Sequence, residues 1–105
     1  MDFRQLEYFC TLSRLKNFTR TAEELHVSQP SVTKAIKSLE TELKLTLIDR
    51  RQKHVTLTNE GKAFLLHAEQ IMKSVEDTYR DMERFQLEKQ GTVHFGIPPM
   101  VEAYL

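Results

Sequence analysis

Gln29, Ser31, Thr33, Lys34, Lys37 and Ser38 follow one another along a short stretch in which no acidic residue appears before Glu40. Amides and hydroxyls donate and accept hydrogen bonds, and ammonium groups reach bases or phosphates. These are the contacts by which a helix laid in a DNA major groove reads base edges. A solvated polar face is the other use of such residues on an isolated helix, so the neighbouring sequence has to decide between the two. Further along, Arg50, Arg51 and Lys53 cluster with His54. Cations so grouped grip phosphates or enter a minor groove, with a solubilising charged turn as the plain alternative.

The elements that must position these groups are legible around them. Ser28 is a good N-cap, and Pro30 suits a first turn whose N–H groups have no partner within the helix. Val32, Ala35, Ile36, Leu39 and Leu43 then recur at helical period, so one face of this helix is apolar and the polar set lies on the other. Before it, Asp2 and Gln5 have the spacing of a capping box, opening a helix through about residue 16 with Leu6, Phe9, Cys10 and Ser13 along one side. Asn17, Phe18 and Thr19 break that helix. Thr19 is predicted to cap a second one, ending near His26, with Phe18 as a hydrophobic staple and Ala22 and Leu25 facing inward. Only His26 and Val27 separate this helix from Ser28, a connection of helix-turn-helix length. After Leu43 the pattern turns to short alternating runs at 46–50 and 54–57, which predict a β-hairpin with the cationic cluster at its tip. The expectation is a mainly α protein built on a winged helix-turn-helix, with residues 1–58 as its DNA-binding domain.

Thr58 is placed to cap a helix running over 59–90, interrupted only by Gly61 in its first turn. At 1.5 Å per residue such a helix is about 45 Å long, more than a small domain covers. Phe64, Ala68, Ile71, Val75, Thr78, Met82 and Phe85 are spaced alternately four and three apart along it. A 3.5-residue stripe is the seam of a helix that pairs with another helix. The simplest partner is the same helix of a second copy, which predicts a homodimer. Gly91 ends the helix, and residues 92–97 alternate like a strand before Pro98 and Pro99. A lone strand has nothing to pair with, so residues 91–105 read as the opening of a further domain.

The chain has 105 residues, 40% of them hydrophobic, with formal net charge zero. The charge is nevertheless unevenly distributed. Residues 1–67 hold eleven basic against eight acidic side chains, and residues 68–90 hold four against six. The positive excess therefore accompanies the base-compatible helix. One cysteine, Cys10, excludes an intramolecular disulfide framework and suits a reducing cytosol. No leader and no long apolar run is evident, so a soluble, cytoplasmic protein without membrane contact is expected. His26, His54, His67 and His94 lack metal-ligand spacing, and HExxH and CxxC are absent, so neither catalysis nor a cofactor is expected.

Leu6, Phe9, Phe18, Thr19, Ala22, Leu25, the run from Ser28 to Thr33, Ile36, Leu39, Glu40, Leu43, Leu47, Arg50, Leu57, Thr58 and Gly61 resemble, in order and spacing, the N-terminal domain of LysR-type transcriptional regulators. The likeness covers residues 1 to about 90. Residues 91–97 are similar to the hinge and first strand of that family's effector-binding domain. The resemblance implies a winged helix-turn-helix, a linker helix used for dimerisation, and a small-molecule-sensing domain in the complete protein. It also implies binding of double-stranded DNA at interrupted inverted repeats, as a dimer or a tetramer built from dimers. Gln29, Ser31, Thr33, Lys34 and Lys37 match positions that enter the major groove or touch its walls, Pro30 opens that helix, Arg50 matches a phosphate-contacting arginine, and Lys53 lies in the wing. Three residues depart from the pattern. Lys44 stands where a glycine commonly follows the recognition helix, Lys34 replaces a frequent arginine, and the wing lacks its usual glycine.

Overall fold

Side chains set the helix boundaries in the protein, whose computed structural model describes residues 1–51 and 53–89. Helix α1 spans Phe3–Leu15, α2 Phe18–Leu25, α3 Gln29–Leu43 and α4 Asn59–Lys89, with strands β1 at Ile48–Asp49 and β2 at Thr56–Leu57. The expected strand at 92–97, the hinge and Gln52 lie outside the described residues. The chain divides into two compact units, Met1–Met72 and Lys73–Leu105.

In the first unit α1 begins with the expected capping box. The Gln5 N–H donates to Asp2 Oδ1 (2.8 Å), and the Asp2 N–H donates to Gln5 Oε1 (3.0 Å). Helix α2 starts two residues earlier than expected, because Asn17, and not Thr19, caps it; Asn17 Oδ1 accepts from the Arg20 N–H at 2.8 Å. Asparagine is as good a cap as threonine, and it comes first in the chain. Phe18 therefore opens the helix instead of stapling it from outside, and packs against the core. Ser28 caps α3 as expected, with the Ser31 N–H donating to its Oγ at 3.2 Å.

Helices α1, α2 and α3 pack against one another around Leu6, Phe9, Leu12, Val32, Ile36 and Leu39, which are buried together with Leu47, Ile48 and Ala68. Phe9 meets Phe64 edge-on, ring centroids 5.1 Å apart. The hairpin is shorter than the sequence suggests. Among the described residues Ile48 pairs with Leu57 and Asp49 with Thr56, antiparallel. Its entry is held by side chains instead. Glu40 takes the N–H groups of Leu47 and Ile48, and the Thr58 hydroxyl donates to Thr46 O at 2.6 Å. Thr58 also caps α4, accepting from the Gly61 N–H at 3.0 Å. Gly61 is required by close approach, since a Cβ there would stand 2.1 Å from Leu47 O.

The second unit is described from Lys73 to Lys89, a continuation of α4. Lys73 and Arg80 both pair with Asp77, and Arg84 pairs with Asp81, at spacings of three and four residues that suit an exposed helix. No described helix is long and apolar enough to cross a membrane.

Candidate nucleic-acid interface

Burying Val32, Ala35, Ile36 and Leu39 turns the opposite side of α3 outward, and Gln29, Pro30, Ser31, Lys34, Lys37 and Ser38 are all exposed there. Thr33 is half-buried at the edge of that face. Some of these groups already have partners. The Thr19 hydroxyl donates to Gln29 Oε1 at 3.1 Å, and the hydroxyls of Ser28 and Ser31 lie 2.8 Å apart. Neither Lys34 nor Lys37 has an ion-pair partner among the described residues. Thr19 reaches Gln29 because it is spared from capping and sits in the first turn of α2. The sequence alone carries no signal for that pairing across ten residues.

The hairpin cations are held differently. Arg51 grips Asp49 through both ends of its guanidinium, Nε to Oδ1 at 3.1 Å and Nη2 to Oδ2 at 3.0 Å, although 89% of its side chain is exposed. These donors, with the Arg51 N–H, hold the Asp49 carboxyl down at about 2. A carboxyl so lowered is ionised throughout the neutral range, and the contact is lost only as pH falls through about 2. Arg50 Nη1 donates to Glu40 Oε1 at 3.2 Å, and its side chain is 36% exposed. Lys53 and His54 are exposed. Of the three hairpin cations Arg50 is thus the one linked to α3, through Glu40.

Glu40 is the site residue that sequence reasoning missed. An acid closing a face otherwise free of acids was the available signal. Its side chain is only 13% exposed and accepts three donors.

The apolar stripe on α4 divides between two situations. Phe64 packs on Phe9, and Ala68 is fully buried, so both are occupied within the chain's own core. Ile71, Thr78, Met82 and Phe85 are exposed, with Met82 at 54% and Phe85 at 58%, and Val75 is half-buried. Cys10 is half-buried; burial, with the Glu69 carboxylate adding, pushes its thiol up to about 11, which disfavours the reactive thiolate. The described residues hold no group of three or more side chains suited to a metal ion.

Residues 3–62 match the family described as bacterial regulatory helix-turn-helix protein, lysR family. The chain is 42% identical over 108 residues to the uncharacterized HTH-type transcriptional regulator YcgK of Bacillus subtilis, covering all of this chain and 32% of that protein. It is 39% identical over 97 residues to the HTH-type transcriptional regulator BsdA of the same organism, covering 91% of this chain and 33% of that one. The chain thus spans about a third of the length of these relatives, which are named as regulators and not as enzymes. Among solved structures it is similar to the BenM DNA-binding domain in complex with benA site 1 DNA. The TM-score is 0.78 at 30% identity, over 81% of this chain and 99% of that one. The CbnR DNA-binding domain in its DNA complex gives a TM-score of 0.76 at 34% identity, over 82% of this chain and 99% of that one. With the capped helix-turn-helix, the short wing and the matched sequence in agreement, the chain belongs to the LysR family of bacterial regulatory helix-turn-helix proteins.

Proposed function

We propose that this chain is the DNA-reading part of a transcriptional regulator and acts on double-stranded DNA as a homodimer, or as a dimer of dimers, at an interrupted inverted repeat. In this reading residues 1–58 form the DNA-binding domain, 59–90 the linker and dimerisation helix, and 91–105 the hinge and first strand of a domain through which a small-molecule effector acts in the cytoplasm. Gln29, Ser31, Thr33, Lys34 and Lys37 contact the major groove, with Pro30 fixing the helix start. Arg50, Arg51 and Lys53 contact phosphates or the minor groove.

The observation that carries the reading is the exposed polar face of α3, without an acid from Gln29 to Leu39, on a helix tied to the cationic hairpin through Glu40, in a fold similar to domains solved in complex with DNA. The exposed Ile71, Met82 and Phe85, at seam spacing on α4, support the pairing of two copies. A two-fold pair places two α3 helices about one DNA turn, roughly 34–36 Å, or a multiple of it apart. Selecting bound sequences from a random duplex pool tests this directly. A two-fold symmetric motif is expected, and recovery of no motif removes the sequence-reading assignment. For the pairing, Phe85→Asp should halve the mass in sedimentation; an unchanged mass rejects the seam.

A further inference from the structure

An acid does not belong on a surface that meets phosphates unless it does something there. The Glu40 carboxylate is nearly enclosed, and its two oxygens share three donors unequally. Oε2 accepts the N–H groups of Leu47 (2.7 Å) and Ile48 (3.1 Å), where the chain enters the wing. Oε1 accepts from Arg50 Nη1 at 3.2 Å, and the same Nη1 lies 3.5 Å from Oε2 and 3.4 Å from Ile48 O. One end of the guanidinium is thereby fixed. Its Nε and Nη2 make no hydrogen bond to any described residue. A guanidinium has a rigid fork of five donors, so it can be held at one edge and still present another.

We infer that Glu40 is a positioning residue for DNA binding: it anchors the wing to α3 and aims the remaining edge of Arg50 at a backbone phosphate. The inference rests on the DNA-reading assignment above and adds a role for a residue that touches no DNA itself. The bond pattern shows how to isolate that role. In Glu40→Gln the amide oxygen still accepts both wing N–H groups, but the amide nitrogen replaces the oxygen facing Arg50, so donor meets donor. The wing keeps its tie, while Arg50 exchanges its shorter contact for a repulsion and retains only the 3.5 Å one.

The two accounts of Glu40 then differ in sign. If the carboxylate is only a negative charge near DNA, its removal tightens binding and steepens the salt dependence. If it positions Arg50, Glu40→Gln weakens binding roughly three- to tenfold on selected and mixed-sequence duplexes alike, because a phosphate contact carries no sequence information. The slope of log K against log salt falls by about 0.9. The loss disappears in an Arg50→Gln background. Arg50→Lys tests the same point with the carboxylate intact. An ammonium keeps the charge and three donors but lacks the rigid fork that fixes one edge while aiming the other, so this variant should bind between wild type and Arg50→Gln.

The experiment is a fluorescence titration of the 105-residue chain and these variants, at several salt concentrations, with melting curves to confirm folding. Glu40→Gln binding as tightly as wild type or tighter overturns the positioning role, as does a loss that simply adds to that of Arg50→Gln, or an Arg50→Lys variant indistinguishable from wild type. A wild-type chain that ignores duplexes even in dilute buffer overturns the DNA-reading assignment itself.

Discussion

The α3 face and the wing each carry cations, but they hold them in opposite ways. Lys34 and Lys37 extend from a rigid helix with no ion-pair partner among the described residues, whereas Arg50 and Arg51 each engage a carboxylate a few residues or one element away. A regular helix already fixes the direction of its side chains, so its lysines need no further guide. A hairpin with two paired residues on each strand fixes little, so Arg50 takes its direction from Glu40, while Asp49 ties up Arg51. The difference also separates two carboxylates. Glu40 is nearly enclosed and organises backbone as well as Arg50, while the Asp49 carboxylate accepts from Arg51, two residues on.

The largest expected effect attacks the wing's seat alone. Gly61→Ala drives a methyl into Leu47 O, so it should destabilise the first unit by about 2 kcal/mol or more and lower the melting temperature by roughly 10 °C. Unchanged melting would mean that the wing is not seated on α4. On the other side of the comparison, Lys34→Ala should cost about 1 kcal/mol of discrimination between selected and random DNA, whereas Arg51→Ala should weaken both duplexes equally. Competition binding distinguishes these outcomes, and equal losses on both DNAs for Lys34→Ala would erase the contrast. A smaller change of opposite sign is expected for Asp49→Asn. Releasing Arg51 and removing a negative charge should tighten binding to any duplex and steepen the salt slope by up to about 0.9. Weakened binding would show that Asp49, like Glu40, aims its arginine. The smallest effect concerns the junction between the two regions. Lys44 ends α3 with φ 58°, in the left-handed region. Lys44→Gly should stabilise by about 0.5–1 kcal/mol, relief of strain outweighing the more flexible unfolded chain, as read from urea unfolding; a loss of stability would refute this.

Much of the site was legible because it is local. The Ser28 cap, the apolar stripe from Val32 to Leu39 and the polar face opposite follow from spacing within a single helix, and the structure reproduces them. The Asp2 and Gln5 capping box is equally local and equally as expected. The start of α2 was missed because Asn17 and Thr19 are both competent caps, and the sequence offers no way to rank them before packing places Phe18. The short strands were missed because Glu40, distant in sequence, occupies N–H groups that an alternating pattern assigns to a strand.

The sequence by itself determined the helices, their polar and apolar faces and the family, since all of these depend on neighbours within a few turns of the same element. Tertiary structure decided which polar groups are already engaged: Thr19 with Gln29, Glu40 with the wing, and Asp49 with Arg51 in the folded hairpin. It also decided that Phe64 and Ala68 belong to the chain's own core, while Met82 and Phe85 stay exposed. Periodicity tells which residues share a face, but what lies against that face is a matter of three-dimensional packing.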